Sequence, residues 1–133
     1  MDTQTRHHHA TASEREFDRV LIESLDESTA AVLGEIAKKS IYEILEKNYA
    51  ITRNRVPERL NELTSAFEAM FGAASSKTIV RTIVKRLYTK LGLTFVEMPD
   101  WRLPDYVKEA RARSILYGDS SKRHLTWERL LRS

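Results

Sequence analysis

KTIVRTIVKRLYTKL, residues 77–91, decides how this chain folds. Ile79, Val80, Ile83, Val84, Leu87, Tyr88 and Leu91 recur at spacings of three and four, the period of one helical face. Lys77, Arg81 and Lys85 fall four apart in a stripe of their own, beside Thr78, Thr82 and Thr89. The β-branched content would suit a strand. Period-four charge and a length near 15 residues nevertheless favour helix. The apolar arc is wide enough to demand burial on most sides. The segment therefore reads as the central helix of a bundle with one solvated stripe, closed by Gly92.

The neighbouring segments repeat the pattern. The linker Ala73-Ala74-Ser75-Ser76 offers Ser75 or Ser76 as N-cap of the central helix. Before it, Leu60, Leu63, Phe67, Met70 and Phe71 predict a helix over 57–71, with Pro57 at its first position and Gly72 after its last. Ile36, Ala37, Ile41, Ile44 and Leu45 form a stripe predicted to face the core, stopped near Asn48. Ala50, Ile51 and Val56 then pack down the connection. Ser13 with Glu16 makes a capping box for a first helix carrying Phe17, Val20, Leu21 and Leu25. Asp26 or Ser28 restarts or continues that helix up to Gly34.

Downstream, Leu93-Thr94-Phe95-Val96 reads as a brief extended piece, and Pro104 introduces a helix ending near Gly118. Ser120 or Ser121 caps a short basic helix carrying Leu125, Trp127, Leu130 and Leu131. The fold class is all-α, a compact bundle of about five to six helices behind a disordered N-terminal arm. Residues 1–12 form the arm and 13–133 a single helical domain, with a core over 33–113 and terminal helices over 13–32 and 120–132.

Composition narrows the function classes. The 133 residues are 41% hydrophobic and 31% charged, a balance that favours folding over disorder. Absence of Cys excludes disulfides and thiolate metal sites and fits a reducing compartment. No apolar run approaches the roughly 18–20 residues of a membrane span, and no signal-peptide core is present, so a soluble cytoplasmic protein is expected. Four well-separated Gly exclude a phosphate-cradling loop. The net charge of +3 hides a gradient. Residues 1–34 hold three Arg against seven Asp and Glu, whereas 77–90 hold five Lys and Arg and no acid. Such asymmetry marks either a polyanion-binding face or an unevenly charged solvated surface.

Several segments carry a family resemblance. They are Leu33-Gly34-Glu35, Ser40-Ile41-Tyr42-Glu43-Ile44-Leu45-Glu46-Lys47-Asn48-Tyr49-Ala50-Ile51, Phe67-Glu68-Ala69-Met70-Phe71-Gly72, Leu87-Tyr88-Thr89-Lys90-Leu91-Gly92 and Asp105-Tyr106-Val107-Lys108-Glu109-Ala110-Arg111. Together they resemble a small archaeal family of unknown function, described as a predicted signal-output domain of ammonia-oxidising archaea, over roughly 33–113. The resemblance implies a compact helical module, found alone or appended to other domains, and brings no catalytic residues.

No residue set predicts catalysis, a metal or a cofactor. Outside the His7-His8-His9 triplet the single histidine is His124, and Glu43 with Glu46 or Glu58 with Glu62 lack the His that a di-metal bundle site requires. Small-molecule substrate chemistry is not evident either. Two binding readings remain. In the first, the chain is a non-enzymatic regulatory or protein-interaction module, expected to form a homodimer, with Phe17, Leu21, Trp127, Leu130 and Leu131 as interaction surface. Packing of those residues on their own core is the ordinary alternative. In the second, 57–71 and 77–91 form a helix-turn-helix around Gly72–Ser76, and Lys77, Arg81 and Lys85 meet nucleic-acid phosphates while Thr78 and Thr82 reach base edges.

Overall fold

Residues 12–118 are described here from a computed structural model. They contain five α-helices and one 3-10 helix, with no strand among the described residues. The helices are α1 (Ala12–Leu33), α2 (Glu35–Tyr49), α3 (Leu60–Phe71), α4 (Ala73–Leu91) and α5 (Leu103–Gly118), with the 3-10 helix at Arg53–Glu58 before α3. The all-α bundle expected from residues 77–91 is the fold observed. The predicted arm, the terminal helix 120–132 and the histidines at 7–9 and 124 lie outside the described residues.

Helix α4 is the central element. Ile79, Val80, Ile83, Val84, Leu87 and Tyr88 are buried on it, and α1, α3 and α5 pack around it. α1 packs along it and buries three small hydroxyl side chains, Ser24, Ser28 and Thr29. Ser24 and Thr29 are buried because their hydroxyls donate to the Val20 and Leu25 carbonyls one turn back, at 2.8 and 2.7 Å. That satisfies them within their own helix. Ser28 accepts from Arg86 Nε across the interface at 3.3 Å.

Two helix junctions are a single glycine each, and the one at Gly72 is shorter than the sequence predicts. Gly34 joins α1 to α2 and Gly72 joins α3 to α4, each a single residue with φ/ψ of 97°/159° and 88°/162°. That region is closed to side-chain-bearing residues and open to glycine. Each glycine also serves both helices at once. Its N–H donates to the carbonyl four residues back (Ala30, 2.8 Å; Glu68, 2.9 Å) and its carbonyl accepts from the N–H four residues on (Lys38, 2.9 Å; Ser76, 3.0 Å). The expected linker 73–76 is therefore the first turn of α4, and Ser76 is a buried helix residue (2% exposed) and not a cap.

Other boundaries shift by one to three residues. α1 is already helical at Ala12 and unbroken to Leu33, so Ser13 lies inside it and neither Asp26 nor Ser28 restarts it. Pro57 belongs to the 3-10 helix, because Arg59 (φ −127°, ψ 39°) separates that turn from α3. The Arg59 guanidinium donates to the Ala50 carbonyl at 3.1 Å and to that of Tyr49 at 3.4 Å, capping the open end of α2. Residues 93–98 are irregular backbone, not a strand. They are held by aromatic packing of Phe95 against Tyr88 and Tyr106, with centroids 5.6 Å apart in both pairs.

Candidate interaction surfaces

The basic stripe of α4 faces outward as predicted, but much of it is already occupied. Lys77, Arg81 and Lys85 are all exposed. Arg81 forks onto Glu97 from Nη2 (2.9 Å) and Nε (3.2 Å), and Lys85 Nζ stands 6.0 Å from the centroid of the Phe95 ring. Only Lys77 in this set makes neither kind of contact. The Thr78 and Thr82 hydroxyls donate back to the Ala74 and Thr78 carbonyls at 3.3 and 3.0 Å, which uses the proton each would offer a base edge. Beside the stripe is a shallow cleft of about 260 Å³ between α4 and the 93–101 segment, bordered by Lys77, Arg81, Phe95, Met98 and Trp101. Tyr106 shapes it. Its ring packs on Trp101 (centroids 5.1 Å), while its hydroxyl accepts from the Met98 N–H (2.8 Å) and donates to the Met98 carbonyl (3.1 Å).

The helix-turn-helix expectation needs correction in its geometry. Such motifs join their helices through three or four residues. Here the turn between α3 and α4 is Gly72 alone, not Gly72–Ser76, and the first helix begins at Leu60 instead of Pro57.

The predicted apolar interaction surface is also corrected where it can be seen. Phe17 and Leu21 are 2% and 1% exposed and belong to the core. The helical face that carries them also carries Leu25, and α4 and α5 cover it; Arg111 lies over the Phe17 ring at 4.4 Å and reaches Asp18 Oδ1 at 3.0 Å. Trp127, Leu130 and Leu131 fall outside the described residues.

A different apolar surface appears on α2. Ile36 is 85% exposed, with Val32 (41%) just before the Gly34 junction and Ile44 (36%) two turns on. The stripe read from sequence joined Ile36, Ala37, Ile41, Ile44 and Leu45, yet only Ile41 and Leu45 are buried. Nine residues at about 100° each make two and a half turns, so Ile36 and Leu45 stand on opposite sides of the helix. Angular bookkeeping of that kind is the signal that marks Ile36 as outward.

α2 also borders a depression of about 590 Å³. Its floor is Asp26, which accepts from Arg53 (Nε to Oδ2, 3.0 Å) and from the Tyr42 hydroxyl; its rim carries Glu35, Ile36, Lys39, Glu43 and Glu46. Burial opposes the charge on Asp26, but the hydrogen bonds from Arg53 and Tyr42 outweigh it and hold the carboxyl below its ordinary range. Burial, then the bond to Asp26, pushes the Tyr42 phenol upward. On the other side of the bundle, burial and then the Glu109 carboxylate push Tyr88 upward. Every resolved shift, including those of Glu16, Arg19 and Arg53, moves the group further from neutrality, so none of these groups is set for proton transfer near pH 7. Among the described residues no group of three His, Asp or Glu converges as metal ligands would, and no helix is long and apolar enough to cross a membrane.

No protein family, curated protein or solved structure matches this chain. The resemblance over 33–113 rests on the quoted segments alone.

Proposed function

We propose that this protein is a non-enzymatic regulatory or protein-interaction module of the cytoplasm that docks through the outer face of α2. The observation that carries this reading is the 85% exposure of Ile36, between Val32 and Ile44. Burying an isoleucine side chain contributes about 1.5–3 kcal/mol, a contribution that Ile36 leaves unused in the isolated chain. Grouped exposed apolar side chains rimmed by charge are characteristic of docking sites, whereas scattered ones are not. A photo-reactive side chain placed at 36 or 44, with the exposed α3 position 61 as control, tests the reading. Adducts from 36 and 44 but not from 61 are expected. Equal yields at all three, or none, would refute it.

A second reading assigns the α4 stripe to a polyanion, nucleic acid in the first place. It is favoured by Lys77, which has no ion-pair partner among the described residues and borders the cleft beside Trp101. Phosphate neutralisation gives affinity that falls steeply with salt. Anisotropy of a labelled duplex at two salt concentrations tests it, and absence of binding at low salt removes it.

A further inference from the structure

We infer that the occupant of the α2 face is a second copy of this chain, paired antiparallel about the level of Ser40. The inference rests on the docking reading above and adds the partner. Two adjacent ridges of i, i+4 residues run along the outer side of α2. One is Ile36–Ser40–Ile44, apolar at its ends and small at its centre; the other is Glu35–Lys39–Glu43–Lys47. Ridges of this spacing are the ones that interdigitate when helices pack. All these side chains are exposed. Glu35 pairs with Lys38 at 3.1 Å, while Lys39, Glu43 and Lys47 make no ion pair among the described residues.

The charged ridge alternates in sign, and its order is reversed in sign when read backwards. A two-fold axis between residues 40 and 41 therefore sets Glu35 against the partner's Lys47 and Lys39 against the partner's Glu43. The same axis lays Ile36 against the partner's Ile44, with the two Ser40 side chains at the crossing where helices approach most closely. A parallel pair in register would instead oppose Glu with Glu and Lys with Lys at all four positions. Like charges set against each other disfavour a partner arrangement strongly. The ridge thus selects both the partner, which must carry the same sequence reversed, and the direction of pairing. An isologous contact of this kind is the commonest way small proteins dimerise. One face of a 15-residue helix buries less than the roughly 1,000 Å² of a stable interface, so the dimer is weak and concentration-dependent.

Sedimentation of the full chain from about 10 μM to about 1 mM, within the range expected of small interfaces, reads the association. The wild type should move from monomer to dimer across that range, and Ile36→Glu should stay monomeric. Lys39→Glu or Glu43→Lys alone should weaken dimerisation about tenfold, since each creates two symmetric like-charge contacts. The double reversal should recover most of that loss. Because the chain has no cysteine, Ser40→Cys introduces a unique thiol at the crossing, which should form a disulfide readily on oxidation. Lys47→Cys should not, as its two copies stand about 20 Å apart in this pairing at 1.5 Å per residue. Retained far-UV helicity in each surface variant shows that folding is intact. A wild type that stays monomeric at about 1 mM overturns the inference, and adducts from 36 and 44 would then leave the docking reading standing with another partner. Dimerisation abolished by Ile36→Glu but indifferent to the charge reversals, or equal cross-linking from 40 and 47, overturns the antiparallel pairing.

Discussion

Two substitutions on one helix, Leu45→Ala and Ile36→Ala, should differ in cost by several kcal/mol although both positions belong to the same apparent apolar stripe. Leu45 is 1% exposed, packed within the core cluster that includes Ile41, Ile51 and Val56. Truncation there removes three carbon atoms from a site enclosed by other elements and leaves a cavity that the 3-10 turn cannot fill by collapse, since Ile51 and Val56 are themselves 0% and 1% exposed. The expected cost is about 3 kcal/mol, the lower middle of the range for buried leucines. For a domain of this size that corresponds to a fall in Tm of roughly 10–15 °C. Ile36 at 85% exposure has almost no contact to lose, so its replacement should fall within about 0.5 kcal/mol of neutral, with a slight gain from the helix preference of Ala over a β-branched residue. Urea denaturation followed by circular dichroism at micromolar protein, below the association range, measures both. Equal costs at the two positions would refute the assigned rotation of α2, and with it the docking face.

Gly72→Ala should destabilise by about 1–3 kcal/mol through backbone strain alone, because an added Cβ meets no atom within 4 Å while φ of +88° is closed to alanine; a cost below about 0.5 kcal/mol in denaturant titration would contradict the one-residue junction. Tyr88→Phe removes a buried hydroxyl shared between the Tyr106 carbonyl (2.9 Å) and the Glu109 carboxylate, and should cost about 1 kcal/mol, measured the same way. In the intact protein the raised Tyr88 and Tyr42 phenols should resist ionisation in a spectrophotometric alkaline titration, whereas unfolding should release them to ordinary values. Asp26 titrates lower in the folded chain than its ordinary 3.8, so the stability it contributes is present above that pH and is lost as pH falls through the folded value. The stability gap between wild type and Asp26→Asn should accordingly shrink between pH 6 and about pH 3; a gap that holds constant would mean the carboxylate is not engaged by Arg53 and Tyr42.

The architecture gives these perturbations a shared cause. Two glycine junctions with nearly identical dihedrals reverse the chain within one residue, which sets α1 against α2 and α3 against α4 with no loop to absorb change. Side-chain volume on the facing helices then sets the spacing, and Ser28 of α1 meets Arg86 of α4 at 3.3 Å. α2 is held by Ile41, Leu45 and the Asp26–Tyr42–Arg53 network, and presents Ile36, Ser40 and Ile44 outward.

The local pattern by itself determined the helical class, the central place of residues 77–91 and most of the core, because burial of a wide apolar arc leaves a bundle as the one arrangement that satisfies it. It also marked the breaks at Gly34, Gly72 and Gly92, where positive φ values of 97°, 88° and 72° favour glycine. Tertiary packing alone decided which way each amphipathic face turned. Phe17 and Leu21 look like a terminal docking strip in isolation, yet α4 and α5 lie over them. Ile36 and Ile44 look like core, yet among the described residues no element covers them, and they stand 85% and 36% exposed. Likewise the Arg81–Glu97 pair and the Lys85–Phe95 contact arise from the return of 93–101 against α4, and a stripe of cations read from spacing holds no information about that neighbour. Periodicity specifies that a face must be buried; only the positions of the other helices specify which face it is.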